Sequence, residues 1–381
     1  MSRLHYLDHL RAHMMLLGIL FHCALSYSHF EPGEDWAYVE PASHHLFDLA
    51  CGTIHLFRMP AFFIVAGFFA ALILERKSAR HFMRDRSLRV VLPLLLLALP
   101  NEWITRAIYA SSRTLSPAAV PVATEMFEWH HLWFLYFLAL FYGIHLLLQS
   151  LSGRLGWQLP ARWQQTPVTL LALPFGLIMG LTVYGNGTLA DAAPIALLPD
   201  PGQFLFYLAC YSLGALLYGH PGLTGRQPAL LGIGSATRHW LFWSLLSLAS
   251  ANIVLFASQI GSNGFNPVSA LSLGMAKVYA ALLVMALYQR YLRQENALVR
   301  YLSNSSYWLY LIHFPLAIAL PPLLHDWPLA PTLKFGLVLV ATLGLGLLSY
   351  EFLVRDTPVG ALLNGRRIPR RRSTSLAPAP W

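Results

Sequence analysis

The sequence predicts an all-α protein, a polytopic membrane bundle of about ten transmembrane helices with both termini on the cytoplasmic side. Three observations carry that prediction. Hydrophobic residues occupy 56% of the 381 positions and charged residues only 11%, where a soluble globular chain carries about 25% charged residues. Apolar runs of the length that crosses the hydrocarbon core recur along the whole chain. The charges between those runs alternate from one connection to the next, which is the signature of the positive-inside rule.

The expected spans run roughly 10–30, 49–74, 87–109, 131–150, 167–185, 202–220, 237–261, 269–290, 302–324 and 332–354. Pro, Gly and charge mark the breaks, as in Pro199-Asp200-Pro201-Gly202. The first run lacks a small-residue cleavage site and further spans follow it, so it reads as a helix of the bundle rather than a cleaved signal. One set of connections holds Arg3 and Arg11, then Arg76 to Arg89, Arg154 and Arg162, Arg226 and Arg238, Arg290 to Arg300, and Arg355 to Arg372, together 21 of the 26 basic residues. The other set holds Glu31, Glu34, Asp35, Glu40, Asp191, Asp200 and Asp326, with Arg113 as its clear cation. The first set is therefore cytoplasmic, and the alternation requires an even number of spans. The net charge of +9 is accounted for by topology and lipid headgroups, which excludes a soluble nucleic-acid-binding face. Residues 1–363 form the membrane domain. The basic, Pro-rich residues 364–381 read as a disordered cytoplasmic tail. Cys23, Cys51 and Cys210 lie in apolar stretches and make neither a disulfide framework nor a metal motif.

Ionisable groups inside spans are expensive and usually functional. In the first span Arg11 and His22 are eleven residues apart. At about 100° and 1.5 Å per residue they share one stripe, roughly 16 Å apart along the axis. That spacing suits a substrate that enters at Arg11 and reacts near His22; the plainer reading of His22 is a hydrogen-bonded packing residue. His55 and Arg58 share a face of the second span. Arg58 there needs an anionic ligand, a wet cavity, or a helix-locking acid such as Glu128. Arg86 and Arg89 begin the third span, where guanidinium forks and a helix N-terminus suit phosphate; positive-inside decoration is the alternative. Glu102 and Arg106 at i,i+4 read as a structural ion pair. Glu128-Trp129-His130-His131-Leu132-Trp133 precedes the fourth span. Trp129 and Trp133 suit an aromatic belt or a sugar-stacking platform, and Glu128 with His131 suits an acid–base pair. His313 lies mid-way along the ninth span. Glu351 closes the tenth and is a candidate anchor for an arginine such as Arg11. Lys277 has no evident partner, and the pair His44-His45 in an outer loop carries little weight.

These residues resemble a known family. Arg11-x10-His22, Arg86-x2-Arg89, Trp133-Phe134-Leu135 and Ser306-Tyr307 with Tyr310 and His313 are similar to the acyltransferase family 3 of membrane proteins. Tyr6-Leu7-Asp8, Leu10-Arg11-Ala12, Met15-Leu16-Leu17-Gly18-Ile19, Phe57-Arg58-Met59, Phe62-Phe63 and His131-Leu132-Trp133 resemble, within it, the group that acts in glucan biosynthesis. The resemblance runs from about Leu4 to Arg355, and in the middle region, 151–300, it rests on hydropathy more than on residues. The chain departs from the group at Leu20, where proline often precedes Phe21-His22.

The resemblance implies a Gram-negative inner-membrane O-succinyltransferase that moves a succinyl group from cytoplasmic succinyl-CoA to hydroxyls of osmoregulated periplasmic glucans, beside other glucan-biosynthesis proteins and with no tightly bound cofactor or metal. Under it, Arg11, Arg86 and Arg89 hold the donor, and His22 is general base or acyl acceptor. His313 is a second acid–base candidate. Arg58 and His55 meet the acyl carboxylate or the oxyanion, while Glu128, His131, Trp133 and Trp129 orient the glucan. The alternatives are transfer of acetyl to another surface glycan, or a transporter that uses the same polar residues as a pathway. The absence of an inverted repeat or paired broken helices counts against the latter.

Overall fold

The protein is seen here as a computed structural model that describes residues 5–29, 36, 38–115, 127–155, 166–186, 196–218, 267–292 and 294–369. Every regular element among them is helical: α1 His5–Leu25, α2 His45–Arg76, α3 Ala79–Arg86, α4 Leu92–Leu115, α5 Trp133–Leu155, α6 Val168–Asn186, α7 Pro201–Tyr218, α8 Pro267–Tyr291, α9 Ala297–Leu323, α10 Pro331–Ser349 and α11 Pro358–Asn364. A π-helical stretch, Ser87–Val91, joins α3 to α4, a second, Tyr350–Val354, extends α10, and a 3-10 turn, His130–Leu132, opens α5. The starts follow local chemistry. His44 caps α2 by accepting the Leu46 N–H on Nδ1, Asn296 caps α9 with its side-chain oxygen, and Pro331 begins α10 where its missing donor is harmless.

Seven of these helical segments are long and apolar enough to cross a membrane, taking α3, the π stretch and α4 as one span from Ala79 to Ser112. Helices α1 and α7 coincide with expected spans but fall outside those seven. For α1 the reason is visible in its residues: Asp8, His9, Arg11, His13 and His22 dilute its apolarity. It is nonetheless central, packing against α2, α8, α9 and α10. The first helix also starts earlier than expected, at His5, because burial of Tyr6, Leu7 and Leu10 carries the helix through its polar residues. The expected seventh span, 237–261, and most of the tail, 370–381, lie outside the described residues. Helix α11 ends at Asn364, with Gly365 in the left-handed conformation after it.

Without a hydrophobic drive between helices in lipid, close backbone approach through small residues holds a bundle together. Helices α2 and α7 meet at Gly67 and Gly214; a Cβ on Gly214 would lie 1.8 Å from the Ile64 carbonyl oxygen. Helices α6 and α8 meet at Gly180 and Gly274, where a Cβ on Gly274 would lie 2.2 Å from the Gly180 nitrogen. These two glycine contacts set α2, α6, α7 and α8 as one wall and leave α1, α9 and α5 to enclose the polar interior.

Candidate active site

Helices α1, α2, α5 and α9 converge on a small cavity. Its polar lining is His22 from α1, Arg58 from α2, His131 from the 3-10 turn, and Tyr310 and His313 from α9; Trp133 and Phe134 close it. The structure thus gathers His22, Arg58, His131, Trp133 and His313 from segments up to 291 residues apart.

The hydrogen bonds assign the protons. His313 Nδ1 lies 2.8 Å and 3.0 Å from the carbonyl oxygens of Tyr310 and Leu309, one turn back on its own helix. Carbonyls only accept, so Nδ1 carries the hydrogen and Nε2 of the neutral ring carries a lone pair. That Nε2 sits 2.8 Å from His22 Nδ1, with the rings parallel to within 4°. His22 Nδ1 therefore donates, which leaves His22 Nε2 as a free base. Trp36, anchored by its indole N–H to Ser26 Oγ at 2.8 Å, packs on the His22–Phe314 side of this pair.

His131 is oriented by the backbone of α9. Pro315 has no N–H to give the Leu311 carbonyl four residues earlier, and His131 Nε2 donates to that carbonyl at 3.3 Å. His131 Nδ1 is then the unprotonated nitrogen, and it is buried with no hydrogen-bond partner. The Tyr310 hydroxyl donates to the His131 carbonyl oxygen at 2.6 Å and locks the turn against α9.

Arg58 is 9% exposed. Its guanidinium lies over the Phe21 ring at 5.1 Å and against Gly18, where a Cβ would stand 2.2 Å from Nη1. Its Nε is buried without an acceptor, and among the described residues no carboxylate forms an ion pair with it. His55, one turn away, also stacks on Phe21, centroids 5.5 Å apart.

Two sequence-based pairings are corrected. Glu128 pairs with neither Arg58 nor His131. Its carboxylate lies 3.6 Å from His130 Nδ1, while His130 Nε2 sits 2.6 Å from Glu102. Adjacent residues on a tight turn point apart, and His130, with φ of 44°, turns its ring toward the acids as His131 turns toward α9. The expected Glu102–Arg106 ion pair forms, at 2.6 Å, and joins the same network. The sequence reading includes His130 in the Glu128–Trp133 run but assigns it no pairing, because Glu102 lies 28 residues away. Trp129 lies outside the cavity lining and stacks on Tyr136 at 4.7 Å. Glu351 is held by Arg355 at 2.9 Å.

At the α3–α4 junction Arg86 and Arg89 flank Asp85, at 3.3 Å and 3.1 Å. Arg86 also lies over the rings of Phe82 and Tyr142, at 5.7 Å and 5.4 Å. The π-helical turn that bears Arg89 is a local irregularity of the kind found at functional sites. It is buttressed by the Tyr307 hydroxyl donating to the Arg89 carbonyl oxygen and by Gly365, whose φ of 70° favours glycine and whose Cβ position the Arg89 guanidinium occupies. Arg86 and Arg89 thus form one cationic pair around Asp85, and Arg11 lies on α1 eleven residues before His22.

The acyltransferase domain model matches residues 4–351 of this chain. Glucans biosynthesis protein C of Salmonella typhimurium (strain LT2) is 27% identical over 398 residues, covering 97% of both chains. The protein of the same name from Salmonella typhi is 27% identical over 391 residues, covering 96% of this chain and 95% of its own. No solved structure matches. A helical bundle of membrane type that the domain matches from residue 4 to residue 351 belongs to this acyltransferase family.

Proposed function

We propose that this protein is an inner-membrane O-succinyltransferase that moves a succinyl group from cytoplasmic succinyl-CoA to hydroxyls of periplasmic glucans. The single observation that carries the reading is the cavity in which a free imidazole nitrogen, His22 Nε2, faces the same space as the unpaired guanidinium of Arg58. The curated relatives named for glucan biosynthesis supply the acceptor class.

In this account Arg11, Arg86 and Arg89 hold the phosphates of CoA as guanidinium forks, and the pantetheine arm reaches along α1 toward His22. The span of roughly 16 Å between Arg11 and His22 is within reach of an extended arm. His22 Nε2 takes the proton of a sugar hydroxyl as its oxygen attacks the thioester carbonyl. The C–S bond breaks, the CoA thiolate leaves, and the proton held by His22 passes to that sulfur. His313 orients His22 and shares the charge of the imidazolium through the 2.8 Å bond. Arg58, with His55 beside it, receives the free succinyl carboxylate or the developing oxyanion. His131 Nδ1 accepts a second sugar hydroxyl, Trp133 supplies a ring face, and Glu128 and Trp129 shape the entrance through the His130 network.

Purified protein in lipid vesicles, given labelled succinyl-CoA and glucan on opposite sides, tests the reading. Glucan-dependent CoA release and labelled glucan are expected, reduced by about 10³-fold in His22→Ala at unchanged insertion. Glucan crossing the vesicle unaltered would identify a carrier, and wild-type succinylation in His22→Ala would overturn the mechanism.

A further inference from the structure

Outside the cavity, at the His22 end of α1, three side chains from two segments converge. His29 follows α1, while His45 and Asp48 lie in the first turn of α2. His29 Nδ1 and His45 Nδ1 lie 3.2 Å and 2.9 Å from the same carboxylate oxygen, Asp48 Oδ2. The two imidazole rings are stacked, centroids 4.2 Å apart and inclined by 22°. The other carboxylate oxygen, Oδ1, is held by Ser28 Oγ at 2.7 Å and by the His29 N–H at 2.6 Å.

This is more than a capped helix end. The α2 cap is supplied separately, by His44, so capping does not require His29 or His45. Ligand atoms around a tetrahedral zinc ion, at bond lengths of about 2.0–2.1 Å, stand roughly 3.3 Å apart. The two spacings to Asp48 Oδ2 already approach that edge, and all three ligand atoms lie within 4.8 Å of one another. Two imidazoles and a carboxylate form a borderline-soft donor set suited to zinc and its neighbours. The Ser28 and His29 bonds to Oδ1 provide the outer support that fixes a ligating carboxylate.

We infer that His29, His45 and Asp48 form a divalent transition-metal site, taking Zn²⁺ with water in the open position, that clips the end of α1 to the start of α2. Each neutral imidazole binds through Nδ1 after its proton moves to Nε2, and Asp48 turns Oδ2 to the ion. His29 follows α1 seven residues after His22, and Asp48 lies ten residues before Arg58 on α2, so an ion there holds together the two segments that meet in the cavity.

The test uses the full chain in detergent with Zn²⁺ as probe, by calorimetric titration and thermal unfolding. One ion per chain is expected to bind saturably at pH 7.5, with a raised midpoint temperature, since a ligand of the folded state alone stabilises it. His45→Ala, whose side chain is 81% exposed and free to change without unfolding the bundle, should weaken binding by about 100-fold and remove the thermal shift. His81→Ala, an exposed histidine on α3, should leave both unchanged. Binding that is equally tight in His45→Ala, or no saturable binding to the wild type, would overturn the site, and neither result bears on catalysis by His22.

Discussion

Two buried cations of this bundle have opposite surroundings. Lys334, 3% exposed, is paired with Glu40 at 3.1 Å and also donates to the His325 carbonyl oxygen at 3.1 Å. Tyr38 completes that network by donating to Glu40 at 2.9 Å, and burial, with the Glu40 bond, pushes its phenol up. Arg58, 9% exposed, has a ring face, a glycine and a cavity around it and no carboxylate among the described residues. A buried charge without compensation is destabilising by several kcal/mol unless something supplies the counter-charge. Lys334 is therefore a fastening between α10 and the loop after α1, whereas Arg58 lacks such an acid among the described residues, as the proposed role of receiving an anionic acyl group requires.

That contrast can be broken from either side. The largest stability effect is expected for Glu40→Ala, which leaves Lys334 buried and alone at a cost of about 3–5 kcal/mol. It should appear as a sharply lower unfolding midpoint in detergent, and Glu40→Ala with Lys334→Met should recover most of the loss. Next comes His313→Leu. It leaves the His22 Nδ1–H without its acceptor, so kcat should fall about 100-fold with little change in the unfolding midpoint. A stopped assay of CoA release at saturating donor reads it. The smallest effect is expected for Gly18→Ala. Its methyl would meet Arg58 Nη1 at 2.2 Å and push the flexible guanidinium off α1. Catalytic efficiency should drop about fivefold, near 1 kcal/mol of transition-state stabilisation, while stability holds.

The two regions also differ in how legible they were in the sequence. The helical, membrane-type architecture was readable because apolar run length and loop charge are local properties. The Arg11–His22 stripe was readable because both residues sit on one helix at a spacing that fixes their relation. The His22–His313 bond joins residues 291 positions apart, so the sequence could nominate both but not pair them. The turn at His130 misled, because i,i+3 spacing brings Glu128 toward His131 only in a continuous helix, and residue 130 takes a positive φ instead. Lys334 escaped notice because its partner, Glu40, lies in a loop that reads as ordinary solvent-facing acid. The cluster of His29, His45 and Asp48 was hidden for a similar reason: its three side chains come from two segments joined by a loop, and His45 reads as half of an outer-loop histidine pair of little weight.

Whether Arg58 is the receptor for an anionic acyl group is decided most directly by donor preference. The measurement is kcat/KM for succinyl-CoA divided by kcat/KM for acetyl-CoA, in wild type and in Arg58→Gln, with glucan as acceptor. The account predicts a wild-type ratio well above one that collapses by about 10–100-fold in Arg58→Gln, the worth of a lost charge-assisted hydrogen bond of roughly 1.5–3 kcal/mol, with no loss of thermal stability. An unchanged ratio, or a fall in stability like that expected for Glu40→Ala, would place Arg58 with Lys334 as a structural cation and contradict the account.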